Sequence, residues 1–201
     1  MARYAELHTH TNYSFLDGAS HPYDLVTRAA ELGYTALAVT DHDGFRGAAK
    51  VHVAAREVGL PIVYGTEVGF DDSSPSGGGG ARRGDGGGQA ADADDHSAAP
   101  SGRRPRRGRI RRMHGSKPTD HPETDHLVLL APDPAGYAAL SRFVTRGQFR
   151  GQKDRPRYDY GDLDIASRDG KLVALTGCRD GAVPRAAQTG NLAEAMAAAS
   201  R

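Results

Sequence analysis

Ala36-Leu37-Ala38-Val39-Thr40-Asp41-His42-Asp43-Gly44 is the stretch that decides the fold. Its first four residues form a continuous apolar run that Thr40 extends, the signature of a buried strand. The run breaks at once into a polar Asp-His-Asp-Gly turn. Residues 47–58 then follow a helical period that closes at Gly59. A strand that ends in chemistry-bearing residues and feeds a helix is a βα unit.

The unit recurs on both sides. Upstream, residues 4–8 form a short strand candidate opening into a polar loop. Ser20 can cap a helix with Pro22 in its first turn. Leu25, Val26, Ala29, Ala30 and Leu32 recur at helical spacing, and Gly33 ends the pattern. Downstream, residues 61–65 read as the next strand, continuing irregularly through 67–70. Residues 126–131 are a strongly apolar strand. Asp133 then caps a helix with Pro134 at its first position, and Tyr137, Leu140 and Val144 form its buried stripe. Residues 151–167 read as polar and mostly loop. Residues 171–176 form a further strand ending at Gly177-Cys178, and 183–187 and 192–200 read as helices. Alternating strands and helices predict an α/β fold of parallel βα units. Runs that are continuous rather than alternating predict strands covered on both faces. A doubly wound sheet or a barrel satisfies this, and the five or so visible units fall short of an eight-fold barrel.

Composition isolates one segment. The chain is 38% hydrophobic over 201 residues, low for a globular domain. Residues 71–122 hold 11 of the 26 glycines and only 8 hydrophobic residues, six of them alanine. Without them the remainder reaches about 46%, an ordinary globular value. Eight of the twelve residues 77–88 are glycine, and seven of the ten residues 103–112 are arginine. Such a stretch cannot bury enough apolar surface to offset chain entropy and is expected to be a disordered insert. The expected organisation is therefore 1–70, an insert at 71–122, and 123–201. Arg103, Arg104, Arg106 and Arg107 are candidate phosphate contacts. A linker with incidental charge is the plainer reading, and no aromatics offer a stacking platform.

Other classes are excluded. No run of about 18 apolar residues exists, which argues against a membrane span. The N-terminus lacks the apolar region of a signal peptide. The single cysteine, Cys178, permits no internal disulfide framework and fits a reducing cytoplasm. A net charge of +1 gives no global drive toward nucleic acid or membrane.

The histidines carry the chemistry. His8-Thr9-His10 places two imidazoles at i and i+2, on one side of an extended backbone. Asp17 follows in the loop, His42 after the second strand, and Glu67 just beyond the third. His126 stands at the start of a later strand and Cys178 beyond the end of another. Imidazole, carboxylate and thiolate are the zinc ligand set, and with more oxygen donors they suit manganese or iron. Singly, each has a plainer role: a packed histidine, a buried thiol. Asp41 and Asp43 read better as loop and capping residues than as ligands. The joint pattern beside apolar strands is what points to a metal.

Five stretches then identify a family. They are His8-Thr9-His10-Thr11-Asn12-Tyr13-Ser14-Phe15-Leu16-Asp17-Gly18-Ala19-Ser20-His21-Pro22, Ala38-Val39-Thr40-Asp41-His42-Asp43-Gly44, Tyr64-Gly65-Thr66-Glu67, His126-Leu127-Val128-Leu129-Leu130-Ala131 with Gly136-Tyr137, and Leu175-Thr176-Gly177-Cys178-Arg179-Asp180-Gly181. They resemble the PHP (polymerase and histidinol phosphatase) domain. The resemblance is closest to the N-terminal PHP domain of bacterial C-family polymerases, the DNA polymerase III alpha subunit. Pro156-Arg157-Tyr158-Asp159 resembles the error-prone branch.

The resemblance implies a (β/α)7 barrel, incomplete here, holding up to three divalent ions, zinc or manganese, at the C-terminal strand face. It carries ligand roles to His8, His10, Asp17, His42, Glu67, His126 and Cys178. A further Asp and His would follow residue 201, and the last helical pattern stops without a cap, so a truncated domain is expected. The implied setting is DNA replication and translesion repair, with DNA reached through the rest of the polymerase chain and no membrane. A 3′–5′ exonuclease role is implied for complete ligand sets, while the nucleotidyltransferase chemistry would lie outside this chain. The fragment alone is expected to be inactive as a polymerase. The alternatives are a stand-alone phosphoesterase acting on a small phosphate ester and a non-catalytic scaffold or decayed fragment.

Overall fold

The computed structural model describes residues 3–71, 124–179 and 181–200. In chain order the elements are β1 (Ala5–Glu6), α1 (Pro22–Glu31), β2 (Ala36–Val39), α2 (Ala48–Val58), β3 (Ile62–Asp71), β4 (Thr124–Ala131), α3 (Pro134–Arg150), α4 (Tyr160–Ser167), β5 (Val173–Leu175), α5 (Ala182–Gln188) and α6 (Leu192–Ala199). The five strands form one curled sheet in sequence order, an incomplete (β/α) barrel.

The expectation of uniformly parallel strands is corrected. β1, β2 and β3 are parallel, but β4 runs antiparallel to both β3 and β5. Asp71 pairs directly with Thr124, so β3 and β4 are adjacent partners with no crossover helix between them. An antiparallel pair needs none. The ladder runs unbroken from Tyr64↔Ala131 to Asp71↔Thr124, so β3 is one regular ten-residue strand rather than an irregular one. The expected insert, with Arg103, Arg104, Arg106 and Arg107, lies outside the described residues apart from the backbone of Asp71, which ends β3.

Alternation along the strands builds the cores. Leu37 and Val39 face one way, onto Val26 and Ala29 of α1 and Val51, Ala54 and Ala55 of α2. Val68, Phe70 and Leu129 pack against Leu140, Phe143 and Val144 of α3 and against Tyr158. Ala38, Val128 and Leu130 form a third cluster with Val63 and Leu175. Coverage on both faces fails at β5, where Val173 is 46% exposed on the outer edge of the sheet.

Two local expectations also change. Residues 160–167 are a helix, not a loop: Asp159 accepts from the Gly161 N–H at 2.7 Å, and Tyr160, Leu163 and Ala166 pack on the second core. His21, not Ser20, is the N-cap of α1, and Leu32 lies exposed beyond its last turn. The α3 start is as read, with the Asp133 carboxylate accepting from Gly136 N–H at 2.7 Å and Pro134 at the first position. Asp133→Ala is expected to destabilise the chain by about 1 kcal/mol in urea unfolding. An unchanged midpoint would count against the cap.

Candidate metal centre

Three chain crossings meet at one edge of the sheet. Beyond β1 the backbone stays extended and pairs past the end of β2. Thr40 N–H donates to the Thr9 carbonyl at 2.9 Å, and Thr9 N–H to Thr40 Oγ1 at 3.1 Å. This fixes His8 and His10 on one side, with their Nε2 atoms 3.1 Å apart. The loop after His10 is tied down by Asp41, whose carboxylate accepts from Thr11 N–H (2.7 Å), Thr11 Oγ1 (2.8 Å) and Ser14 Oγ (2.7 Å). Asp41 is thus a loop anchor, as its type suggested. That loop returns Asp17 toward His10 and His42.

Glu67 lies within β3, past the last β2 pairing, and bridges backbone to backbone with His42. His126 is near the start of β4. Because β4 is antiparallel, its start lies at the edge where β1, β2 and β5 end, and His126 shares the Glu67 face of the ladder. Gly177, at φ +86, brings Cys178 beside it. A Cβ at Gly177 would stand 2.4 Å from the His126 carbonyl oxygen, so this close approach requires glycine.

All seven residues expected from the sequence converge, in three overlapping groups: His8, His10 and Glu67; His10, Asp17 and His42; Glu67, His126 and Cys178. Within each group the ligand atoms lie within 4.8 Å of one another. Glu67 is the hub. Its Oε2 is 2.5 Å from His8 Nε2 and 3.2 Å from His10 Nε2, while its Oε1 is 2.6 Å from His126 Nδ1. Asp17 Oδ2 contacts His10 Nδ1 and lies 3.0 Å from His42 Nε2. Cys178 Sγ is 4.0 Å from His126 Nδ1.

The electrostatics follow from this packing. Burial pushes the Glu67 carboxyl up, but hydrogen bonds to His10, His126 and His8 and the charge of His42 outweigh it. They hold the group well below the usual carboxylate range. Asp17 is lowered too: the opposing effect of burial is overcome by its bonds to His42 and His10. Burial lowers His42. His10 is raised, because Glu67 and Asp17 outweigh its burial. Nearby, burial pushes Asp43 up to about 6.

The donors fit a divalent cation. A buried carboxylate shared by three imidazoles, with a thiol alongside, is a set of convergent lone pairs suited to zinc. Residues that local patterns did not flag are Thr11 and Ser14, which hold the loop, and Gln148 and Tyr158, which reach the His42 turn from α3 and beyond. Their partners are distant in sequence, so no local spacing marks them.

A family model described as PHP domain matches residues 6–201. The chain is 40% identical over 185 residues, 89% of its length, to an error-prone DNA polymerase of Nocardia farcinica, covering 15% of that protein. It is 38% identical over 196 residues, 97% of its length, to an error-prone DNA polymerase of Mycobacterium tuberculosis, covering 14% of it. The chain thus spans about one-seventh of the length of these curated relatives. A solved structure provisionally described as a metal-dependent phosphoesterase, from Bifidobacterium adolescentis, aligns with TM-score 0.38 and 20% identity over 100% of this chain and 52% of that one.

Proposed function

The chain belongs to the PHP domain family, and on that premise we propose that its seven-residue cluster is a divalent-metal centre for phosphoester hydrolysis. The substrate we assign is the phosphodiester at a DNA 3′ end, presented within a longer error-prone-type polymerase. The observation that carries this reading is Glu67: its two oxygens face two different donor sets, His8 with His10 and His126 with Cys178. A carboxylate so placed can join two neighbouring ions.

His8, His10 and Glu67 would hold one ion, Glu67, His126 and Cys178 a second, and Asp17 with His42 a third, as zinc or manganese. When bound, such ions supply Lewis acidity to a phosphoryl oxygen and lower the pKa of water toward neutrality. The remaining chemistry belongs to the side chains. A neutral imidazole has one lone pair, so His10 serves a single ion, and its other nitrogen donates its proton to a carboxylate. Glu67 and His126 are nearly excluded from solvent, which strengthens their charge interactions, while the His8 side chain is 25% and the Asp17 side chain 44% exposed, leaving that side open. Ligation needs neutral imidazoles, so loading must displace the proton that His10 holds above its ordinary pKa.

Reconstitution with Zn(II) or Mn(II), elemental analysis and an end-labelled single-stranded oligonucleotide test the proposal. At least one ion per chain and chelator-sensitive release of the 3′ nucleotide are expected. A chain that takes up no ion from excess metal overturns the metal reading. A loaded chain that cleaves p-nitrophenyl phosphate but not the oligonucleotide overturns the DNA assignment.

A further inference from the structure

His42 is the ligand whose orientation its own ring does not explain. Its Nε2 meets Asp17 at 3.0 Å, but its buried Nδ1 has no hydrogen-bond partner among the described residues. A metal-binding histidine is ordinarily aimed by a hydrogen bond at its second nitrogen. Here the backbone supplies the aim: the His42 N–H donates to Ser14 Oγ at 3.2 Å on one side, and the next residue, Asp43, is held on the other.

Asp43 is held unusually. Its φ of +54 lies in the left-handed region that non-glycine residues enter with strain, and it is buried. Three contacts keep it there. Its N–H donates to the Glu67 carbonyl at 3.0 Å. Its carbonyl accepts from Gln148 Nε2 at 3.0 Å, across 105 residues of sequence. Its buried carboxyl interacts electrostatically with the Tyr158 side chain packed nearby. Tyr158 is itself fixed. It is 2% exposed, and its ring lies so close to Gly147 that a Cβ there would be 2.3 Å from Tyr158 Cε1. The Arg157 N–H closes the segment onto α3 by donating to the Gly147 carbonyl at 2.9 Å. The end of α3, the segment after it and the His42 turn therefore pack as one piece.

We propose that Gln148 and Tyr158 are positioning residues that clamp Asp43 and thereby aim His42 at its ion. The proposal rests on the metal reading above and names the part of the chain that regulates one of its three groups. Neither residue touches the ion. Both act through Asp43, so their loss should weaken the Asp17–His42 group and spare that of Glu67, His126 and Cys178.

Co(II) titration of the whole chain separates these effects. The ligand-field bands report the nitrogen and oxygen ligands, and the thiolate charge-transfer band reports Cys178. Tyr158→Phe and Gln148→Met are each expected to weaken Co(II) binding at the His42 group about 10-fold and to alter its ligand-field bands. The charge-transfer titration should stay at the parent value. Asp43→Asn keeps an acceptor and tolerates the left-handed backbone, so it should retain parental binding where Asp43→Ala does not. Gln148 is exposed, so Gln148→Met gives a folded test even if Tyr158→Phe does not. A parent chain that shows neither band overturns the metal reading itself. A parent that shows both, with variants that titrate identically, overturns the clamp. Loss of both bands together also overturns it, because that signals general loosening.

Discussion

Glu67→Gln is expected to remove most of the bound metal and to lower phosphoester hydrolysis on the order of 10³-fold, about 4 kcal/mol of transition-state stabilisation. The substitution keeps the shape of a side chain that is 1% exposed, so packing is nearly preserved. It removes the negative charge from a group that belongs to two of the three ligand sets at once. The amide also presents N–H donors where lone pairs are needed, opposite His8 and His10 or opposite His126. The metal-free protein should respond as well. Glu67 is held well below its ordinary value of 4.5, so the folded state favours its ionised form. The stability this confers is fully present above about pH 4.5 and is lost as pH falls toward the depressed folded value. The metal-free variant should therefore melt below the parent at pH 7, with the gap closing in strongly acid solution. Elemental analysis and melting curves across pH check both halves, and parental metal content in the variant would refute the hub role.

The parts of this centre that could be read from sequence are those whose geometry is local. His8 and His10 needed only the two-residue period of an extended chain. His42 and Cys178 needed only the ends of the strand runs at 36–40 and 171–176. His126 was the harder residue. It stands at the start of its strand, the wrong end if every strand is parallel, and only the antiparallel pairing of β4 brings it to the site. Strand direction is set by partners far along the chain, so the alternation of strands and helices misled on that point. Helix α4 was hidden by its polar surroundings, although Asp159 is a good cap and Tyr160, Leu163 and Ala166 recur at helical spacing. Asp41 was rightly read as a loop residue by type, but its partners Thr11 and Ser14 lie about thirty residues away. The Asp43 contacts with Gln148 and Tyr158 leave no mark in any local window. Packing across the fold creates them.

Gly18→Ala is expected to damage the third ligand group almost alone. A Cβ at Gly18 would lie 2.0 Å from the Thr11 carbonyl oxygen, 2.6 Å from its carbon and 3.0 Å from the His10 carbonyl oxygen, all backbone atoms that cannot rotate away. Thr11 cannot retreat. It is fully buried, and the Asp41 carboxylate holds both its N–H and its hydroxyl. The relief must come from the exposed side of the loop, where Leu16 already stands at φ +70 and Asp17 is its neighbour. Moving that segment carries the Asp17 carboxylate away from His10 and His42. Affinity at this group should fall on the order of 100-fold, while the two groups that share Glu67 keep their ligands. Because the strain is relieved through the exposed Leu16–Asp17 segment, the stability loss should stay within the about 1–3 kcal/mol typical of overpacking. The expected signature is one ion fewer per chain with folding retained. A Gly18→Ala chain that binds the parental number of ions would show that Asp17 holds no metal and serves instead to orient His10 and His42.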